Sequence, residues 1–127
     1  MKREINGIEG APQAIGPYSQ ACQVDSLIFL SGQIGVSPQS GKLVEGIDQQ
    51  TNQALDNISA ILNNFGCDFS SLVKVTIFLA DMGNYQQVNQ IYSERLGASR
   101  PARSTVEVSK LPAQALIEIE VVAHSSK

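Results

Sequence analysis

Two short stretches carry the residue types that anion binding and proton transfer require: RPARSTVEV, spanning Arg100 to Val108, and LIEIEVVA, spanning Leu116 to Ala123. Both read as β-strands. Strand side chains alternate between faces, so Arg103, Thr105 and Glu107 share one face of the first, opposite Ala102, Ser104, Val106 and Val108. Glu118, Glu120 and Val122 alternate in the same way along the second. A planar guanidinium grips a carboxylate through two parallel charge-assisted hydrogen bonds, and a positioned carboxylate can hold a water and relay its proton. Taken alone, these residues leave plainer readings open. A strand arginine near glutamates is more often a surface or interface ion pair, and a lone strand glutamate is more often solvated.

Other residues with chemical potential carry less. Cys22 and Cys67 lack the CxxC spacing of a redox or zinc motif and read as free thiols. His124 is the only histidine and has no partners spaced to make a metal site. Gly35, Gly41 and Lys42 mimic a phosphate-binding loop, but the spacing is one residue too long and Leu43 stands where a hydroxyl is needed, so a surface turn is expected. Tyr18 follows Gly16 and Pro17 in a loop, where packing against the loop explains it as well as ligand contact does.

The elements that must position these groups follow from periodicity. Lys2 to Ile5 reads as a short strand, and SQACQV and LIFLSG read as a hairpin about Asp25 and Ser26. Ile47, Thr51, Ala54, Leu55, Ile58, Ile61, Leu62 and Phe65 recur at helical spacing, and Gly66 closes that helix. LVKVTIFLA is β-branched and apolar on both faces, as a central strand requires. A second helix runs from about Asn84 to Leu96 with Tyr85, Val88, Tyr92 and Leu96 aligned, positions assigned to the core, and Gly97 after it. The order is βββαβαββ: an α+β chain, residues 1–127 as one domain, with both helices on one face of a mixed sheet. Arg103, Thr105 and Glu107 are expected on the opposite face with Glu118, Glu120 and Val122. Glu107 is expected to pair with a lysine. A partly apolar face without a helix over it calls for burial against another subunit.

Composition narrows the partners. The chain has 127 residues, 43% of them hydrophobic, enough for one core. A net charge of −3 argues against binding phosphate backbones, so no nucleic-acid partner is expected. No run reaches the length of a bilayer span and the start has no apolar signal segment, so the expectation is a cytoplasmic protein without membrane contact.

Several stretches together resemble the RidA branch of the Rid family, also called YjgF: AIGPYSQA, LIFLSGQIGVSPQSGKL, QQTNQALDNISAIL, VKVTIFLADMGNYQQVNQIY, RPARSTVEVSKLP and IEIEVVA, in order along nearly the whole chain. The resemblance implies a chorismate-mutase-like fold and a homotrimer whose sheets form a central barrel with active sites in the subunit clefts. It implies hydrolysis of 2-imino acids, released by pyridoxal-phosphate enzymes, to 2-keto acids and ammonia without a cofactor. By position it implies Arg103 as carboxylate anchor, Glu118 as the catalytic carboxylate, and Tyr18, Ser31 and Gly32 at the site wall. Many relatives carry cysteine where Thr105 stands; the Thr105 hydroxyl can still orient a water. The competing functions are a carboxylate-binding regulatory module without turnover and an endoribonuclease or translation inhibitor.

Overall fold

In the computed structural model, which describes residues 1–126, the chain folds as one mixed sheet with two helices packed on one face. The strands are β1 (Lys2–Ile5), β2 (Ala21–Val24), β3 (Leu27–Leu30), β4 (Gln33–Ile34), β5 (Leu72–Leu79), β6 (Ala102–Glu107) and β7 (Ile117–His124). The helices are α1 (Ile47–Asn63), between β4 and β5, and α2 (Tyr85–Leu96), between β5 and β6. Along the sheet the order is β1-β2-β3-β7-β5-β6, with β4 also paired to β7. All pairs are antiparallel except β5 with β6, which α2 connects. No helix among the described residues is long and apolar enough to cross a membrane.

The expected elements form where periodicity puts them, with one addition. β4 has two residues, too few to carry an alternation, and only its pairing with β7 defines it. That pairing matters, because it sets Ile34 opposite Glu118.

The core lies between helices and sheet. Ala54, Leu55, Ile58, Ile61 and Leu62 of α1 are buried against Ile28, Val75, Ile77, Ile117 and Ile119. Each such aliphatic side chain contributes roughly 1.5–3 kcal/mol on burial. Gly66 takes a positive φ of 69° just past α1, a backbone state costly for a residue with a Cβ, and lets the chain turn toward β5.

Two buried polar residues of α1 tie it to the loops that frame β7. The Asn57 Nδ2 donates to the carbonyls of Ile34 at 3.2 Å and Val36 at 2.9 Å. The Gln50 side chain donates to the Val44 carbonyl at 3.1 Å and accepts from the Leu116 amide at 2.8 Å. Buried amide groups require such partners. Their effect is to fix β4 and the start of β7, and so the position of Glu118.

Registry places the polar strand residues differently from the expectation. Arg103 and Thr105 stand opposite Val75 and Ile77, whose side chains are buried beneath the helices. Glu118 and Glu120 stand opposite Phe78 and Thr76, on the other face. The alternation along β6 is as expected, but the row turned toward the helices is the arginine row. The reason is that β6 is an edge strand flanked by α2, whose tyrosines accept the long stem and planar head of an arginine. The small and apolar row, Ala102, Ser104 and Val106, faces the open side. Among the described residues Glu107 pairs with no lysine; its carboxylate accepts from the Met82 amide at 2.8 Å.

The open face is partly apolar. Leu27 and Phe29 of β3 and Val106 of β6 are exposed there, alongside Val122 and the carboxylates of Glu118 and Glu120.

Candidate active site

The site residues fall into two groups on opposite faces of the sheet. The first gathers around Glu118. Gly32 lies so close that a Cβ built on it would come within 2.8 Å of the Glu118 Cδ and 3.1 Å of its Cγ. The carboxyl therefore occupies the space that only a glycine leaves open. Ser31 precedes Gly32 and is tied down twice, its amide donating to the Gln20 carbonyl at 3.0 Å and its hydroxyl to the Ser19 carbonyl at 2.5 Å. These bonds hold the loop carrying Tyr18 against the end of β3. Buried Gln20 anchors that loop further, accepting from the Ile8 amide at 2.9 Å and donating to the Pro12 carbonyl at 2.8 Å.

Tyr18 is 53% exposed, and its hydroxyl accepts from the Ile15 amide at 3.3 Å. Tyr18 and Ser31 line a depression of about 590 Å³ with Gly16, Cys22 and Phe29, and Tyr18 and Gly32 line a smaller adjoining one. Burial holds the Glu118 carboxyl above the usual carboxylate range, and the neighbouring charge of Glu120 adds to the effect. A carboxyl so placed passes protons nearer neutrality than an exposed one.

The second group gathers around Arg103. Its guanidinium carbon lies 4.9 Å from the centroid of the Tyr92 ring and 5.8 Å from that of Tyr85, within cation–π range of both. Its Nη2 donates to the Tyr85 hydroxyl at 3.2 Å. Arg103 makes no salt bridge among the described residues. It opens on a depression of about 310 Å³ lined by Asn89, Tyr92, Ser93, Arg100 and Pro101. Three buried polar atoms in this group have no hydrogen-bond partner among the described residues: Asn89 Oδ1, Tyr92 Oη and Thr105 Oγ1. Such atoms are costly to leave unpaired, and they lie beside a guanidinium that no carboxylate neutralises among the described residues.

The structure thus brings Tyr18, Ser31, Gly32 and Glu118 together, and Arg103 with Thr105, but it does not bring the two groups into one cleft within a single chain. Tyr85, Tyr92 and Asn89 belong to the arginine's surroundings and were not foreseen there. Tyr85, counted toward the core from its helical spacing, is 38% exposed. Two tyrosines seven residues apart on one helix face, beside a strand arginine, were the available signal. Cys22 and Cys67 are free, the latter buried, and His124 is exposed on β7.

The class that the structure defines is an α+β domain with two helices on one side of a mixed sheet and a depression on each side, and comparison with known proteins gives its family. The family described as Endoribonuclease L-PSP matches residues 8–125. A mouse protein named 2-iminobutanoate/2-iminopropanoate deaminase is 47% identical, over 95% of this chain and 90% of its own length. YyfA of Yersinia pestis, a Rid-family protein, superposes with a TM-score of 0.94 at 48% identity, covering 98% of this chain and 99% of that one. Escherichia coli TdcF, solved with bound serine, gives 0.91 at 35% identity, covering 98% and 100%. The chain belongs to this family, within its RidA branch.

Proposed function

We propose that the chain hydrolyses 2-imino acids to 2-keto acids and ammonia in a cleft formed between two copies, one contributing Arg103 and the other Glu118. The observation that carries this reading is the placement of those residues on opposite faces of one sheet, each near its own depression. A single chain cannot close both around one small ligand. A second copy laid against the partly apolar open face buries that face and brings one chain's glutamate group toward its neighbour's arginine group. The homotrimer implied by the resemblance, with sites in its subunit clefts, accords with this arrangement. Relatives named as imine deaminases support the reaction, and the bound serine of TdcF supports a ligand of amino-acid size.

The chemistry asks little of the protein. Arg103 binds the substrate carboxylate through paired hydrogen bonds and so fixes the plane of the adjacent C=N group. Glu118 holds a water at C2, accepts its proton as the C–O bond forms and passes it to the imine nitrogen, giving a carbinolamine; it then takes the proton of the new hydroxyl as the C=O bond forms and delivers it to nitrogen as the C–N bond breaks. Water and imine enter; keto acid and ammonia leave, with every proton accounted for. Tyr18, Ser31 and Gly32 wall the site, and the Thr105 hydroxyl is available to a bound water.

The test generates the imine in situ with an amino-acid dehydratase and traps the remainder with semicarbazide. Wild type lowers the trapped fraction, Arg103→Ala abolishes the effect, and Glu118→Gln lowers kcat by roughly 10²-fold or more with little change in KM. Unchanged trapping with wild type, with 2-keto acids still bound, leaves only the regulatory binding module. The family's descriptive name refers to RNA cleavage; RNA loss that persists in Arg103→Ala would support that activity instead, against the net charge of −3.

A further inference from the structure

We infer that the Tyr85 hydroxyl is a ligand-binding group, a donor to the substrate carboxylate beside the guanidinium of Arg103, which it also orients. This rests on the reading of Arg103 as the carboxylate anchor and adds to it a residue that the family resemblance did not supply.

A phenol oxygen has two lone pairs and one proton. Arg103 Nη2 already donates to this oxygen at 3.2 Å. The Asn89 side chain, one turn further along α2, lies where it favours the charged oxygen. Both interactions favour the oxygen as acceptor, and together they hold the phenol below its ordinary titration range, Asn89 more strongly than the Arg103 charge. The hydroxyl's own proton is therefore the one unspent element. No hydrogen bond from it to a protein acceptor is present among the described residues. It belongs to a side chain 38% exposed at the first turn of α2.

The geometry around the guanidinium gives that proton its use. The Tyr92 ring lies under the guanidinium at 4.9 Å, so an anion approaching Arg103 comes at the free edge of the plane and not through this face. Tyr85 Oη sits at that edge, bonded to Nη2. A carboxylate gripping the guanidinium thus meets a neighbouring O–H whose oxygen already accepts from Arg103 and whose proton is free. Its hydrogen bond is charge-assisted. The bond between Tyr85 and Arg103 also limits the rotation of a long flexible side chain before the ligand arrives, which is preorganisation.

The experiment compares wild type, Tyr85→Phe and Arg103→Ala in the imine-trapping assay, with calorimetric binding of 2-oxobutanoate as a second readout. Tyr85→Phe keeps the ring, its packing on Arg103 and the helix turn, and removes only the hydroxyl. KM and the dissociation constant for the keto acid should both rise, by about five- to tenfold, with kcat within about twofold of wild type. A merely structural ring would move neither. If Tyr85→Phe matches wild type in both readouts while Arg103→Ala loses binding, the hydroxyl has no role and the inference is overturned with the carboxylate anchor intact. A fall in kcat at unchanged KM also overturns it, because the hydroxyl would then serve the chemical step. If Arg103→Ala itself binds 2-oxobutanoate like wild type, the anchor reading fails first.

Discussion

Alanine at Gly32 tests whether the position of Glu118, and not merely its presence, determines turnover. Gly32 has an ordinary negative-region backbone, outside the positive-φ glycines, so alanine costs no backbone strain there. Its Cβ would nonetheless lie 2.8 Å from the Glu118 Cδ. Restoring an ordinary carbon–carbon separation of about 3.5 Å moves the carboxyl by about 0.7 Å. The atoms in the way are the far end of a flexible side chain on a half-buried face, so the carboxyl yields and the backbone does not. The fold should survive with a melting temperature close to wild type. Misplacement on the scale of 1 Å at a reacting group costs roughly 10²-fold in rate. In the trapping assay kcat should fall by that order while KM, set by Arg103, stays near wild type. The acid limb of the kcat profile gives a second signature. Burial raises the Glu118 pKa, so a base role is lost as pH falls through a raised value. A carboxyl pushed toward solvent titrates lower, and the limb should move to lower pH in Gly32→Ala. A variant with wild-type kcat and an unmoved acid limb would refute the claim that this carboxyl must sit where glycine leaves room.

Three further outcomes follow from the same packing and hydrogen bonds. Gly35→Ala should behave oppositely to Gly32→Ala: its Cβ would meet the Gln50 Cα at 2.6 Å, helix backbone that cannot step aside, so thermal denaturation should show a loss of about 1–3 kcal/mol. Asn57→Ala removes the donor to the Ile34 and Val36 carbonyls, and chemical denaturation should show about 1–3 kcal/mol lost. Glu118→Gln should raise the melting temperature at neutral pH while it lowers turnover. With the folded pKa raised, the carboxyl's favourable contribution is full below the unfolded pKa and is lost as pH rises through the folded one. The two proteins should therefore melt alike below about pH 4 and diverge above it.

Much of the fold was legible because its signals are local. The α1 stripe from Ile47 to Leu62, the Asp25-Ser26 hairpin and the apolar run of β5 each state their own element in period and turn residues. β4 was not legible, since two residues carry no period and its existence depends on β7, far along the chain. The site divides in the same way. Glu118 and Gly32 are brought together by pairing of β4 with β7, which the sequence did not reveal, although the family resemblance named both. For Arg103 the alternation of β6 was readable, but which row turns toward the helices was not. Two faces of a strand look equivalent until a neighbour is placed on one of them. Here that neighbour is α2, whose Tyr85 and Tyr92 make an arginine acceptable where an aliphatic residue was expected.

The central claim, that one chain's Arg103 works with another chain's Glu118, is tested most directly by mixing two inactive variants. Arg103→Ala and Glu118→Gln, refolded separately, should each be nearly inactive in imine trapping. Refolded together in equal amounts, random assembly pairs an intact arginine with an intact glutamate at about a quarter of the clefts in a closed ring. Activity should return to about that fraction of wild type. A mixture no more active than its separate components, with mixed assemblies shown to be present, would contradict the account.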